Sequence, residues 1–288
     1  MNAPLAGRVA LVTGGGRGIG RAHSLLLAAR GASVVVCDVG VELDGHGHDA
    51  AIAESVVAEI AASGGRAVAD DSDVSTFGGG ARAVQRALDA FGAIHIVVNN
   101  AGLAGGGSIE TVSEELLDRV MAVNFRGSVG TVKAAWPHLR AQGWGRVVNT
   151  VSEVALDTRM PGAGSIGYGA AKAAVWSLTL SLAEAGREHG ITVNAVSPGA
   201  FTRMNEAMFA TSPPPPGLDL DPVHVARVVA WLASHDAADV TGRIVHAAGG
   251  QHREYVTARH RDTELVARID AALGDGASVS PHAGDVDH

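Results

Sequence analysis

The stretch Val9-Ala10-Leu11-Val12-Thr13-Gly14-Gly15-Gly16-Arg17-Gly18-Ile19-Gly20 decides the fold. Its first four residues are apolar and uncharged, which fits a strand covered on both faces inside a parallel sheet. The glycine run breaks that strand. Arg21 to Arg30, rich in Ala and Leu, then reads as a helix closing at Gly31. A strand, glycine turn and helix in this order turn backbone N–H groups and the positive end of a helix outward, a ready seat for a pyrophosphate. Gly14 and Gly18 let the backbone approach phosphates without an intervening Cβ, and Gly20 lets the helix pack close to the strand. Gly14, Arg17, Gly18, Ile19 and Gly20 are therefore the first candidate cofactor contacts. A tight turn in another kind of α/β protein would share this pattern, so the context has to decide.

Ser33-Val34-Val35-Val36-Cys37 is a second buried strand, ending at Asp38, 18 residues beyond Gly20. An acidic side chain at that tip accepts hydrogen bonds from both adenosine ribose hydroxyls and repels a 2′-phosphate. The expected cofactor is NAD (NADH) rather than NADP. The alternative role for Asp38 is to cap its own loop.

The 288 residues, 47% of them hydrophobic, suffice for one large α/β domain, and the 38 glycines suit a fold with many tight turns. A net charge of −8 with no basic stripe argues against a nucleic-acid partner. The single cysteine, Cys37, points to a reducing compartment. No apolar run approaches a membrane span, and the start Met1-Asn2-Ala3-Pro4 leaves no room for a signal peptide, so the expected location is cytoplasmic. The 13 histidines show no ligand-like spacing, and His46 and His48 read as solvated loop residues, so no metal is expected.

Strands and helices alternate along the chain. After a polar, Gly-rich insert (40–49) comes a helix over 50–63, a strand over 66–69 followed by Asp73-Val74, and a helix over 81–91. A strand over 95–98 runs into Asn99-Asn100-Ala101-Gly102. Ser113 caps a long helix that carries Asn124 and ends near Gln142. Further strands fall at 146–151, 191–196 and 244–247, with helices over 167–189 and 222–234, the latter capped by Asp221. Pro213 to Pro216 favour an extended segment. This order specifies one Rossmann-type, doubly wound parallel sheet with helices on both faces and its ligand at the C-terminal strand ends. The expected domain covers residues 1–250, and 251–288 reads as a polar extension, disordered from Gly274.

Tyr168-Gly169-Ala170-Ala171-Lys172 carries the chemistry. Positions i and i+4 share one helix face, so phenol and ammonium stand together, and a nearby cation favours the phenolate. Such a group exchanges a proton with an alcohol or carbonyl oxygen. A Tyr and a Lys on an ordinary helix surface would look the same. Yet the chain has only two tyrosines, and this one follows the fifth strand, where a ligand belongs.

Taken in order, Thr13-Gly14-x-x-x-Gly18-x-Gly20, Asn99-Asn100-Ala101-Gly102, Asn124, Ser152, Tyr168-x-x-x-Lys172 and Pro198-Gly199 resemble the short-chain dehydrogenase/reductase family over about residues 6–250. The resemblance implies an enzyme that interconverts a secondary alcohol and a ketone with NAD(H). It implies that Tyr168 is the general acid/base, and that Lys172 lowers the phenol pKa and binds the nicotinamide ribose. Ser152 would bond the substrate oxygen, and Asn124 would hold a water in a proton relay. Asp73 and Val74 would meet adenine, Asn100, Ala101 and Gly102 the adenine ribose, and Pro198, Gly199 and Thr202 the nicotinamide. The spacing from Ser152 to Tyr168 is longer than is usual for the family, which makes Ser165 a rival. Ser152 is preferred because it ends a strand.

The long insert, Ala134-Ala135-Trp136 and Val229-Ala230-Trp231-Leu232 are similar to the dehydrogenase part of peroxisomal multifunctional enzyme, which implies a 3-hydroxyacyl thioester substrate. Leu156, Met160, Met204, Met208 and Phe209 offer an apolar substrate wall, or else simple lid packing. The resemblance also implies a homo-oligomer, a tetramer or dimer. Other readings keep the same fold: a nicotinamide-dependent epimerase or lyase, or a dinucleotide-sensing protein without catalysis.

Overall fold

A computed structural model of the chain describes residues 3–42, 45–105, 107–155, 157, 165–211, 213–214 and 217–256, with the side chains of Ala207 and Met208 not described. Leu156, Met160, Pro215, Pro216 and the 257–288 part of the extension lie outside the described residues, as does the Met208 side chain.

The elements run β1 (Val9–Thr13), α1 (Gly18–Ala29), β2 (Ser33–Cys37), α2 (Ala51–Ala62), β3 (Arg66–Asp70), α3 (Phe77–Phe91), β4 (Ile96–Asn99) and α4 (Glu114–Met121). A π-helical turn, Ala122–Arg126, joins α4 to α5 (Gly127–Ala141). Then come β5 (Gly145–Thr150), α6 (Ile166–Gly186), β6 (Ile191–Gly199), α7 (Glu206–Thr211), α8 (Val223–Leu232), β7 (Ile244–Ala248) and β8 (Gln251–Tyr255). They build one sheet in the order β3-β2-β1-β4-β5-β6-β7-β8, parallel from β3 through β7. Residues 1–254 form the compact unit that contains it up to Glu254; of the second unit, Tyr255–His288, only Tyr255 and Val256 are described.

Each central strand is apolar on both faces because each face is covered. Ala10, Val12, Val34, Val36, Ile96 and Val98 pack under α1, α2 and α8, while Val9, Leu11, Val35 and Val97 pack under α3 and α5. The alternation of neighbouring residues between two cores is the period-2 geometry of a strand. Chain order reverses between β1 and β4, so the crevice of a doubly wound sheet opens there, at the C-terminal strand ends.

Several boundaries differ from the sequence expectation. Helix α3 starts four residues earlier, at Phe77, and takes in Gly78, Gly79 and Gly80, with Thr76 capping the Gly79 N–H at 3.0 Å. The glycines are there for packing: a Cβ on Gly80 would lie 2.8 Å from the Gly130 backbone of α5. The expected single helix from Ser113 is interrupted by the π turn. Ser113 does cap it, accepting from Leu116 N–H at 3.2 Å. Asp221 accepts from Val223 N–H at 2.8 Å, one residue ahead of the expected helix start at Pro222. Residues 251–255, read as part of a polar extension, form β8 beside β7.

Candidate active site

Thr13 and Asn100 tie together the two strand ends that flank the switch point. Thr13 Oγ1 accepts from the N–H groups of Asn100 and Ala101, both at 3.1 Å, and Asn100 Nδ2 donates to the carbonyls of Thr13 and Gly14, also at 3.1 Å. This brings the glycine turn and the Asn-Ala-Gly segment together. Gly14 and Gly18 have φ of +62° and +51°, a left-handed backbone that favours glycine. Gly20 is required for space, since a Cβ there would sit 1.8 Å from the Gly14 carbonyl oxygen. Helix α1 opens from an extended Arg17, with no side chain capping its first turn and no acidic residue in it. An uncapped N-terminus free of acidic side chains is what a pyrophosphate needs, so the residues present fit a dinucleotide.

At the tip of β2, Asp38 Oδ2 accepts from Gly16 N–H at 2.9 Å and Oδ1 from Gly40 N–H at 2.8 Å. The carboxylate is thus oriented by two backbone donors beside the glycine turn. Asp73 accepts from Ser75 N–H at 2.9 Å, and Val74 is buried with Val35, Cys37 and Ala83, leaving little of its side chain for adenine. Pro198 and Gly199 finish β6, and a Cβ on Gly199 would meet Ala248 at 2.6 Å. Thr202 approaches the glycine turn, its Cγ2 3.4 Å from the Cβ position of Gly18.

The proton-handling groups converge where β5 ends. Tyr168 packs with Leu103, Val120 and Ala171, and burial holds its phenol above the ordinary value, with the nearby Ser152 hydroxyl pulling the other way. Burial thus opposes the lowering expected from Lys172. Lys172 is 3% exposed and donates to the Thr150 carbonyl at 2.8 Å, with Nζ 5.6 Å from the Tyr168 ring centre. Burial pushes the ammonium itself down to about 8, so the desolvated pair shares the cost of burial on both sides. Ser165, the rival serine, spends its hydroxyl on the Gly105 carbonyl.

Asn124 sits in the π turn, a form often found at functional sites. Its Nδ2 donates to the carbonyls of Leu103 at 2.9 Å and Val120 at 3.0 Å, while its Oδ1 is buried with no partner among the described residues. A Cβ on Gly102 would lie 2.9 Å from that oxygen and 3.6 Å from Lys172 Nζ, so a side chain there would fill the gap between them.

Below these groups runs a polar network that the sequence reading missed. Thr131 donates to Asn99 Oδ1 at 2.6 Å, Asn99 to Asn149 at 2.9 Å, and Asn149 to Thr179 at 2.9 Å. All four are buried and fully linked, fixing β4, β5, α5 and α6 under the site. The available signal was an asparagine at the same register of two otherwise apolar strands, Asn99 opposite Asn149. Also missed was His246 on β7, whose Nδ1 lies 3.3 Å from the Glu153 carboxylate next to Ser152. On the expected substrate wall, Phe201 and Met204 are exposed, and Phe209 stacks on Phe201 with ring centres 5.9 Å apart. Among the described residues no helix is long and apolar enough to cross a membrane, and no group of three or more His, Cys, Asp or Glu is arranged to hold a metal.

Residues 8–212 match the family model described as short chain dehydrogenase. A Mycobacterium tuberculosis protein named as a short-chain type dehydrogenase/reductase is 43% identical over 84% of this chain and 82% of its own length. Peroxisomal multifunctional enzyme type 2 of Mus musculus is 39% identical over 85% of this chain, which spans 32% of that larger protein. Hydroxyacyl-CoA dehydrogenase ChsB1 of Mycobacterium tuberculosis is 36% identical, covering 86% of this chain and 79% of its own. The crystal structure of a short chain dehydrogenase from Mycobacterium avium is 39% identical and superposes with a TM-score of 0.77, covering 98% of this chain and 99% of that one. Fold, motif order and kinship agree, and the chain belongs to the short-chain dehydrogenase/reductase family of oxidoreductase enzymes.

Proposed function

We propose that this enzyme interconverts a secondary alcohol and a ketone with NAD(H), using Tyr168 as general acid/base. The observation that carries the reading is Tyr168 with the buried Lys172 beside it, its Nζ 5.6 Å from the tyrosine ring centre and donating to the Thr150 carbonyl where β5 ends. When bound, the nicotinamide supplies the site that accepts or gives the hydride. In ketone reduction, Tyr168 passes its phenol proton to the substrate oxygen while Ser152 donates a hydrogen bond to that oxygen. In alcohol oxidation the phenolate takes the hydroxyl proton. Burial favours the neutral phenol, so the site is poised as an acid at neutral pH and becomes a base as pH rises. Lys172 holds its proton against the Thr150 carbonyl, and Asn124 Oδ1 offers a buried acceptor for a relay water near it. Gly14, Arg17, Gly18, Ile19 and Gly20 would hold the pyrophosphate; Asn100, Ala101, Gly102, Asp73 and Val74 the adenosine; and Pro198, Gly199 and Thr202 the nicotinamide. Asp38 supports NAD over NADP, because its fixed carboxylate suits ribose hydroxyls and repels a 2′-phosphate.

The hydroxyacyl-CoA dehydrogenase relative supports a 3-hydroxyacyl thioester as the substrate class. The proposal extends to a cytoplasmic homo-oligomer, a tetramer or dimer, through α5 and α6, whose outer faces frame an apolar groove lined by Val129, Trp136, Pro137, Leu178 and Leu182. The test is a screen of alcohols with NAD or NADP, followed at the NADH absorbance, including 3-hydroxyacyl thioesters and bulky cyclic alcohols. NADH formation that vanishes in Tyr168→Phe is expected. Substrate consumption without any change in NADH absorbance would overturn the redox reading, and tighter binding of NADPH than of NADH would overturn the cofactor choice.

A further inference from the structure

Arg203 follows Thr202 in the segment that leads to α7, and nothing in the chemistry above uses it. Thr202 lies against Gly18, and the Arg203 side chain reaches the loop that follows β2. There its Nη2 donates to the Val41 carbonyl at 2.8 Å, three residues past Asp38. Arg17, from the glycine turn, donates to the same carbonyl oxygen at 2.7 Å. Two guanidinium groups from different segments therefore meet on one acceptor. Their charges oppose each other: burial first, then Arg17, lowers the Arg203 pKa. The carboxylates in reach compensate poorly. Glu42 is 3.8 Å away with a 75% exposed side chain, and both Asp38 oxygens already accept backbone N–H groups. The two guanidinium groups thus stand side by side between the glycine turn and the tip of β2, the stretch that a dinucleotide must span.

We propose that Arg203 is a cofactor-positioning residue that pairs with Arg17 as a two-armed clasp for the diphosphate bridge of the dinucleotide, with the Val41 carbonyl parking both arms beforehand. The inference rests on the dinucleotide reading above. Guanidinium groups suit phosphate oxygens through their planar, multiply donating geometry, and a diphosphate between them cancels the repulsion they otherwise bear.

The experiment is calorimetric titration of the full chain and of Arg203→Ala and Arg203→Lys with NADH, ADP-ribose and NADPH, with adenosine measured by displacement. The Ala variant is expected to bind NADH and ADP-ribose about tenfold more weakly, with adenosine unchanged and partial recovery in the Lys variant. Unaltered ADP-ribose affinity in the Ala variant would overturn the proposal. So would an equal loss for adenosine, which marks a general structural defect, or a loss confined to NADPH, which marks a 2′-phosphate contact. If the unaltered chain bound neither NADH nor ADP-ribose, the dinucleotide reading itself would fall, which is a different result from a Kd that ignores Arg203.

Discussion

The two ends of the sheet each bury a cation, and they treat it differently. At the N-terminal strand ends, Arg146 is 2% exposed, with Nε donating to the Ser234 carbonyl at 3.1 Å and Nη1 to those of Gly145 at 2.8 Å and Gly190 at 3.4 Å. Its guanidinium lies over the Trp144 ring at 4.3 Å, as does that of Arg8 at 3.8 Å, and His95 and His235 pack against the same indole. Even after burial lowers it, the Arg146 pKa stays at about 10, so the charge is permanent. At the C-terminal ends, Lys172 is brought down to about 8 and has in its neighbourhood a buried amide oxygen with no partner among the described residues. One end spends its cation on tying loops together. The other keeps a proton near its release point, with hydrogen-bonding capacity in reserve. Arginine suits the first task because it does not give up its proton, and lysine the second because it can.

The sharpest test of this contrast is Tyr168→Phe, which should cut turnover by about a thousandfold while leaving the thermal midpoint almost unchanged. Steady-state rates and a melting curve on one preparation check both halves. Arg146→Met should do the reverse. It strands backbone carbonyls in the interior and is expected to cost about 3 kcal/mol, or roughly 6–12 °C in Tm, with kcat per folded molecule retained. A fall in kcat without a fall in Tm would break the division between the two ends.

A third test probes a stability element behind the reactive end. His23 in α1 is fully buried with both ring nitrogens unpartnered among the described residues, and burial holds its pKa at about 3. The folded state therefore binds fewer protons than the unfolded one between pH 6.5 and 3. Its contribution is complete above pH 6.5 and is lost as pH falls, by up to about 1.4 kcal/mol per pH unit. Denaturant titrations of His23→Leu from pH 7 to 4 should show a flatter decline. In the rates, kcat/KM for alcohol oxidation should climb from pH 7 toward 10 as the raised phenol ionises, while ketone reduction does not climb. A plateau for oxidation already at pH 7 would show that the phenol is held low after all. The smallest effect belongs to Ser165→Ala, expected within about twofold of the unaltered enzyme, against a loss of a hundredfold or more for Ser152→Ala.

Much of this was legible in the chain. Apolar strands alternating with helices, the glycine turn and the Tyr168–Lys172 spacing are local signals, and each depends on residues close in sequence. What escaped depends on contacts between distant segments. Gly78 to Gly80 look like a break until Gly130 of another helix is placed against them. The π turn at Ala122–Arg126 has no compositional mark, because its extra residue is accommodated by neighbouring packing rather than by any residue type. The direction of the Tyr168 shift depended on how tightly Leu103 and Val120 close around it, which an i, i+4 rule does not contain. Arg146 carries no mark of its burial in the sequence, because its acceptors come from positions 145, 190 and 234.

That widened turn has a mechanical consequence. An α-helix advances about 100° per residue. A bulge that holds one surplus residue therefore shifts the phase of everything after it by that angle. Helix α4 leans on α6 beside the tyrosine, while α5 turns its small residues toward α3. Straightening the turn with every residue kept would swing Gly130, Trp136 and Leu139 out of alignment by that angle, whereas excising one position between 122 and 126 would keep them in place and cost the seat of Asn124. The kink that seats Asn124 thus doubles as the gear that lets one continuous helix serve two different neighbours.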